Sequence, residues 1–160
     1  MAKRNDGKDL ENKLNEALVE HQAKFKSHFF RLYDATSSGG GRGHRQDGDF
    51  IWLAPADTVL LECKSTEVRT PLLQLLKGSK TSKNQIAKHS LWHIAGRKTV
   101  YVYADLITQE VIAYCGYSVL AAVRAPARKP VALVTIGARS LRSIGSLLLD
   151  IETYLKGERV

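Results

Sequence analysis

The chain has 160 residues, of which 44% are hydrophobic, so its length and composition fit one globular domain with a single core. Its apolar stretches are too short or too interrupted to span a bilayer and no signal peptide begins the chain, which argues against a membrane protein and for a cytoplasmic location. Two cysteines, each inside an apolar run, argue against a disulfide framework, and a formal net charge of +8 favours a polyanionic partner.

The first predicted element is an amphipathic helix. Residues 1–8 are expected to form a flexible N-terminus. From Asp9, apolar residues such as Leu10 and Leu14 recur at helical spacing, which predicts a helix to about Lys24. The aromatic-rich residues 28–35 favour a strand, although they could also extend this helix.

A glycine-rich segment, "TSSGGGRGHRQDGD", follows at residues 36–49. Five glycines among polar side chains cannot bury an apolar face, so we expect a loop. No Gly-Lys-Ser/Thr closes it, which excludes a Walker-type phosphate loop. Two interpretations remain open, a plain flexible connection and a basic strap that contacts a nucleic-acid backbone.

The rest of the chain predicts a mixture of strands and helices. Strands are expected at residues 49–54 and 58–64, joined by the turn "PAD". The remaining predicted elements are a short helix at 71–76, a helix at 83–95, strands at 98–104, 109–115 and 131–136, and a last helix at 139–155. This order predicts an α/β domain without internal repeats.

The positive charge is concentrated in two segments. Residues 64–98 hold eight Lys or Arg against one acid, and residues 124–142 hold five against none. Such one-sided segments bind phosphates through counterion release, although a solubilising surface is the alternative. In the first segment, the DNA-contact candidates are Lys80, Lys83 and Lys88.

Three charged residues stand at the ends of the two predicted strands at residues 49–54 and 58–64. If these strands are antiparallel neighbours, Asp49 meets Glu62 and Lys64 at one edge of the sheet. Alternation along a strand puts Glu62 and Lys64 on one face and Cys63 on the other.

This arrangement predicts a metal-dependent hydrolase. Two adjacent carboxylates repel each other unless a cation lies between them, and oxygen ligands suit Mg²⁺, with Mn²⁺ as a substitute. Such a metal activates water and polarises a phosphoryl oxygen, while the ammonium of Lys64 holds the attacking water or neutralises developing charge. In a basic protein this favours phosphodiester hydrolysis over the alternative of solvated strand ends.

The motif resembles the PD-(D/E)xK nuclease superfamily, and within it the archaeal Holliday-junction resolvases and bacterial RecU-type resolvases. Asp49 is followed after thirteen positions by Glu62-Cys63-Lys64. The resemblance also includes "GKDLE" at residues 7–11, the loop "YDATSSGGG", and Gln85 ahead of "KTVYVYA". It covers about residues 7–105 and leaves 106–160 as a C-terminal extension or dimer element of a nuclease domain spanning 9–160.

The resemblance implies a fold and a set of roles. The fold is a single restriction-endonuclease-like domain with a mixed central β-sheet flanked by helices. One or two Mg²⁺ ions are then held by Asp49, Glu62 and the Cys63 backbone carbonyl, with Glu11 completing the site. Lys64 is a catalytic residue, as is Gln85, which with Ser65 orients water or contacts the scissile phosphate. DNA contacts are expected from Ser38, Arg42, His44 and Arg45.

Several positions leave alternatives open. Glu16 and Glu20 compete with Glu11, which we place first because Gly7 precedes it as in the family pattern. Asp47 competes with Asp49 as a ligand. The proline that precedes the family's aspartate is Gly48 here.

Two other signals are set aside. His89 and His93 have the spacing of a zinc pair, but the metalloprotease glutamate is missing and no further ligands accompany them, so no zinc is expected. Cys63 should point into the core and is therefore not predicted to be a nucleophile.

Together these features predict a Mg²⁺-dependent, structure-selective endodeoxyribonuclease, a Holliday-junction resolvase that introduces paired nicks. The two-fold symmetry of a four-way junction predicts a homodimer. The expected location is the cytoplasm, in association with the nucleoid or as a phage protein in its host. The alternatives are another nuclease of the superfamily, of restriction or repair type, and a non-catalytic basic module that binds nucleic acid.

Overall fold

Six strands form one sheet, flanked by helices on both faces, in the computed structural model of the chain. The structure describes residues 6–32, 48–68, 70–78, 80–125, 127–137 and 144–157. In chain order its elements are α1 (Asp6–Lys24), β1 (His28–Arg31), β2 (Phe50–Leu53), β3 (Thr58–Thr66), α2 (Leu72–Lys77), α3 (Lys80–Ile94), β4 (Lys98–Asp105), β5 (Glu110–Cys115), α4 (Gly116–Arg124), β6 (Ala132–Ile136) and α5 (Ile144–Leu155). The predicted α/β architecture with a mixed sheet is confirmed.

The strands lie in the order of the sequence, from β1 to β6. Every neighbouring pair is antiparallel except β3 and β4, which are parallel. A parallel pair needs a long crossover connection, and α2 and α3 provide it. The β3-β4 register places Glu62 beside Tyr101 and Lys64 beside Tyr103, so the crossover decides what surrounds the predicted site.

The larger core lies between the sheet and the helix pair α1 and α5. Leu10, Leu14 and Leu18 recur every four residues along α1 and are all buried, as helical periodicity predicts. They pack with Ile144 and Ile151 of α5 and with alternate residues of the strands. Of the described residues after Asp105, those of β5, β6 and α5 complete the same sheet and core.

A smaller core lies on the opposite face, under α2, α3 and α4. Its buried members are Leu72, Leu76, Tyr101, Tyr103 and Val119. Because Tyr101 and Tyr103 come from β4, this core covers the same face of the sheet to which Glu62 and Lys64 point.

The structure differs from the sequence prediction at several boundaries. Helix α1 begins at Asp6, inside the segment expected to be flexible, and β1 ends at Arg31 rather than at residue 35. Helix α4 was not predicted, because its apolar residues continue the run of β5 without a polar break. The helix begins at Gly116, where a Cβ would lie only 1.8 Å from Thr99 Oγ1, so this glycine permits a close approach of α4 to β4. No helix in the described ranges is long and apolar enough to cross a bilayer.

Candidate active site

Asp49 and Glu62 lie side by side at the β2-β3 ladder. The antiparallel pairing expected from the sequence is observed, with Phe50 opposite Leu61. One step further, the Asp49 N–H donates to the Leu61 carbonyl at 3.0 Å. The Cys63 N–H in turn donates to Asp49 Oδ2 at 2.6 Å, which fixes the direction of this carboxylate. The local geometry of two strands therefore brings Asp49 to the Glu62-Cys63 peptide.

Glu62 is a buried carboxylate, with 1% of its surface exposed. Lys64 Nζ lies 2.5 Å from Glu62 Oε1 and forms an ion pair with it. Besides this ion pair, neither oxygen of Glu62 accepts a hydrogen bond from the described residues. A buried carboxylate normally accepts two or more hydrogen bonds, so Glu62 retains acceptor capacity for a further ligand.

Lys64 is held in place from α3. Its Nζ donates to Gln85 Oε1 at 3.0 Å while contacting Glu62, so the side chain is fixed at two points. Burial by itself lowers the pKa of Lys64, but the Glu62 carboxylate outweighs it and the pKa lies above its usual range. Lys64 is therefore an ammonium at neutral pH. The structure thus brings Glu62, Lys64 and Gln85 together.

Both carboxyl groups of the site are hard to ionise. Burial raises the pKa of Asp49 to about 6, although the Cys63 N–H opposes the shift. Burial, followed by the negative charge of Asp49, raises the pKa of Glu62 to about 8. One cation, Lys64, thus faces two desolvated carboxyl groups. Additional positive charge at this position would stabilise their ionised forms.

A buried His-Tyr pair lies behind Glu62, and sequence reasoning missed its connection to the site. His89 Nε2 is 3.9 Å from Glu62 Oε2, and His89 Nδ1 is hydrogen-bonded to the Tyr101 hydroxyl. Both side chains are fully buried. The only signal in the sequence was the spacing of His89 four residues after Gln85, which puts both on one face of α3.

Glu11 reaches the site from α1. Its Oε2 accepts from Arg31 at 3.0 Å, and its negative charge contributes to the raised pKa of Asp49. Glu16 and Glu20 are exposed further along the helix, and Glu20 lies 3.8 Å from Lys24. Of the three glutamates left open by the sequence, Glu11 is the one that the fold places near Asp49.

The donor set fits a hard divalent cation. Among the described residues, no three His, Cys, Asp or Glu side chains are grouped closely enough to hold a metal ion by themselves. Mg²⁺, however, is commonly bound by one or two carboxylates with water and substrate phosphates filling the remaining positions. Asp49 and Glu62 meet that requirement, and the raised pKa of each carboxyl group means that its ionised form lacks compensating positive charge.

The remaining predicted site residues are placed as follows. The Cys63 side chain packs in the larger core as expected, and burial raises the pKa of its thiol, which argues against a nucleophile. Ser65 lies on the same face of β3 as Cys63, so its side chain points away from that of Lys64.

The predicted DNA contacts are described only in part. Lys83 is exposed and Lys88 half-buried on α3. Outside the described residues or side chains lie Ser38, Arg42, His44, Arg45, Asp47 and the side chain of Lys80.

Gly48 has a steric role next to the site. A Cβ at this position would lie 2.8 Å from Leu60 Cδ1 and 3.2 Å from the Leu61 carbonyl oxygen. Gly48 therefore lets the chain approach β3 closely just before Asp49.

No protein-family model and no curated protein matches the chain. Among solved structures, the chain is similar to Hjc, a Holliday junction resolvase from the archaeal hyperthermophile Archaeoglobus fulgidus. The two sequences are 12% identical, and the match covers 83% of this chain and 94% of that chain with a TM-score of 0.42.

Proposed function

We propose that the protein is a divalent-metal-dependent endonuclease that hydrolyses phosphodiester bonds in branched DNA, with the four-way junction as its substrate. The observation that carries the proposal is the state of Glu62. This buried carboxylate lies beside Asp49, accepts no hydrogen bond from the described residues besides its contact with the Lys64 ammonium, and has a pKa of about 8. A site that destabilises its own carboxylates in this way favours a bound cation.

Mg²⁺ is the proposed cofactor, with Mn²⁺ as a substitute. It would be held by Asp49, Glu62 and the Cys63 backbone carbonyl, with Glu11 adding negative charge from α1. When bound, it supplies Lewis-acid stabilisation of the charge that develops on the phosphate.

The side chains of the chain itself divide the remaining work. Because Lys64 is protonated, it acts as a donor to a phosphate oxygen or to the attacking water and not as a general base. Gln85 holds the ammonium in position through its Oε1. The Cys63 N–H keeps the Asp49 carboxylate directed toward the site. Catalysis in this arrangement is mainly electrostatic positioning.

The basic character of the chain supports a DNA substrate. The segment from residue 64 to 98 includes α3, which carries both Gln85 of the site and the proposed DNA contacts Lys80, Lys83 and Lys88. Two nicks in opposed strands require two active sites, so we propose a homodimer matched to the two-fold symmetry of the junction. Replacing the three lysines together by Gln should weaken junction binding and flatten its salt dependence by about 0.9 per lost phosphate contact. An unchanged slope would place the DNA-binding surface elsewhere.

The experiment that tests the proposal uses labelled DNA and the full chain. A four-way junction, a matched duplex and a flap are incubated with wild type, Asp49→Asn and Glu62→Gln, each in Mg²⁺ and in EDTA. Glu16→Gln is the matched control, because it removes one carboxylate from an exposed position of α1. We expect paired, symmetric nicks in the junction with wild type and the control only, and only with Mg²⁺.

The other outcomes assign the protein differently. Mg²⁺-dependent cutting of duplex or flap would keep the nuclease and replace the substrate by that of a restriction or repair enzyme. Junction binding without cleavage under any divalent metal would support a non-catalytic binding module. Undiminished cleavage by both site variants would refute the active site.

A further inference from the structure

A cavity of about 500 Å³ lies between the C-terminal half of α3 and helix α4. Its walls include His93 and Ile94 of α3 and Tyr117 and Leu120 of α4. The volume falls in the range of pockets that bind small molecules. None of these residues belongs to the candidate active site. His93 follows Gln85 by eight residues, a distance of about 12 Å along the helix.

Two aromatic rings face the cavity. The rings of His93 and Tyr117 are 5.8 Å apart between centroids and meet edge to face at 65°. Tyr117 is 65% exposed, so its ring is available to a ligand. Burial lowers the pKa of His93, and its Nε2 is hydrogen-bonded to Thr99 Oγ1 at 2.9 Å, so it presents a neutral, fixed ring. Rings of this kind stack with flat, apolar groups.

Two arginines line the same cavity. Arg124 Nη2 donates to Ser90 Oγ at 3.0 Å, and Ser90 Oγ in turn donates to the Ile86 carbonyl at 2.9 Å. These two hydrogen bonds hold the Arg124 guanidinium at the cavity wall, and Arg128 contributes a second positive charge. None of the described residues that line the cavity is acidic. The cavity thus combines an aromatic and apolar wall with two cations.

We propose that this cavity binds one unpaired nucleotide of a DNA strand, with the base against Tyr117 and His93 and the phosphates on Arg124 and Arg128. Base stacking on aromatic rings combined with arginines on the backbone is the usual chemistry of single-strand recognition. A second copy of the chain would fit less well, because a two-fold contact here would bring the arginines of both copies together. The choice of DNA as the ligand rests on the proposed function.

The site would change how branched DNA is bound. A strand whose scissile phosphate lies at Glu62 could continue along α3 to the cavity as a short unpaired segment. Strand opening at a branch point would then be stabilised by the protein, at a position separate from the chemistry.

The test measures quenching of 2-aminopurine in a short single-stranded oligonucleotide by the full chain in EDTA, where no Mg²⁺-dependent cleavage occurs. We expect quenching by wild type, loss of affinity by about tenfold in Tyr117→Ala, and retention in Tyr117→Phe, which keeps the ring. Arg124→Gln should lower the salt dependence of binding by about 0.7 per lost phosphate contact. Arg97→Gln, which removes an exposed arginine outside the cavity wall, is the matched control.

Each contrary result would overturn the inference. Equal affinity of wild type and Tyr117→Ala would exclude the cavity, since Tyr117 is exposed and its truncation leaves the core intact. Equal effects of Arg124→Gln and Arg97→Gln would indicate only general charge. Displacement of the oligonucleotide by dAMP at similar concentration would make the cavity a site for free nucleotides instead. Junction cleavage by wild type with Mg²⁺ is measured in parallel, so failure of the proposed nuclease activity is recorded separately.

Discussion

Glu62→Gln should make the metal-free protein relatively more stable as pH rises. The pKa of Glu62 is raised from 4.5 to about 8, so the fold favours the protonated carboxyl group. Below pH 4.5, Glu62 is protonated in both the folded and the unfolded chain, so its raised pKa does not change the free energy of unfolding. As pH rises from 4.5 toward 8, Glu62 loses its proton in the unfolded chain but keeps it in the folded protein, and the folded state becomes progressively less stable. Each pH unit in this interval costs about 1.4 kcal/mol. From about pH 5 to about pH 8, wild type should therefore lose about 3 kcal/mol relative to Glu62→Gln.

The assay is urea unfolding in EDTA at intervals across that pH range, followed by tryptophan fluorescence. In the wild type the pKa of Lys64 lies above this range. In Glu62→Gln the carboxylate no longer opposes the effect of burial and the pKa of Lys64 falls, so the comparison is repeated in a Lys64→Met background. Glu16→Gln serves as control because Glu16 is exposed, and its stability curve should run parallel to that of wild type. At about pH 8, Mg²⁺ should restore stability to wild type but not to Glu62→Gln, because only the carboxylate can bind it.

Two results would refute the reasoning. A constant stability difference between wild type and Glu62→Gln across the pH range would mean that Glu62 is not desolvated as the fold implies. Equal stabilisation of both proteins by Mg²⁺ would place the cation at a different site.

Two further predictions concern residues around the sheet. Tyr101→Phe removes the hydroxyl that is hydrogen-bonded to His89, so we expect the free energy of unfolding to fall by about 1–3 kcal/mol, measured by thermal melts. We also expect the Mg²⁺ concentration for half-maximal cleavage to rise about tenfold in a Mg²⁺ titration. An unchanged titration would give the His89-Tyr101 pair a purely structural role. Gly116→Ala should destabilise the fold by about 1–3 kcal/mol, because the added Cβ would overlap Thr99. Gly145→Ala is the control: it adds a Cβ in open space on α5 and should be neutral or stabilising by up to about 1 kcal/mol. Equal melting temperatures for the two variants would contradict the close approach of α4 to β4.

The part of the site formed by Asp49, Glu62 and Lys64 could be predicted because it depends on local rules. A short turn joins two neighbouring strands, antiparallel pairing brings the start of one beside the end of the other, and alternation assigns faces. The apolar periodicity of α1 and α5 likewise specifies their buried sides. These features need only the spacing of residues within a few turns or one hairpin.

The sequence did not reveal helix α4 or the place of the C-terminal strands in the common core. The apolar residues of β5 and α4 run together, and their periodicity alone does not mark the change from strand to helix at Gly116. That change is decided by the packing of α4 against β4, which requires the absence of a side chain opposite Thr99. Contacts between segments far apart in the chain therefore decided what local spacing left ambiguous.

The sequence by itself determined which residues meet at the β2-β3 hairpin and which chemistry they could support. Only the tertiary structure decided how strongly that chemistry is perturbed, because burial of Glu62 depends on the parallel β3-β4 pairing and on the helices packed over it. Tertiary packing also places Glu11, and not Glu16 or Glu20, near Asp49. It positions the His89-Tyr101 pair behind the Glu62 carboxylate and forms the cavity between α3 and α4. Desolvation is a property of all the atoms around a group, and no short segment of sequence specifies it.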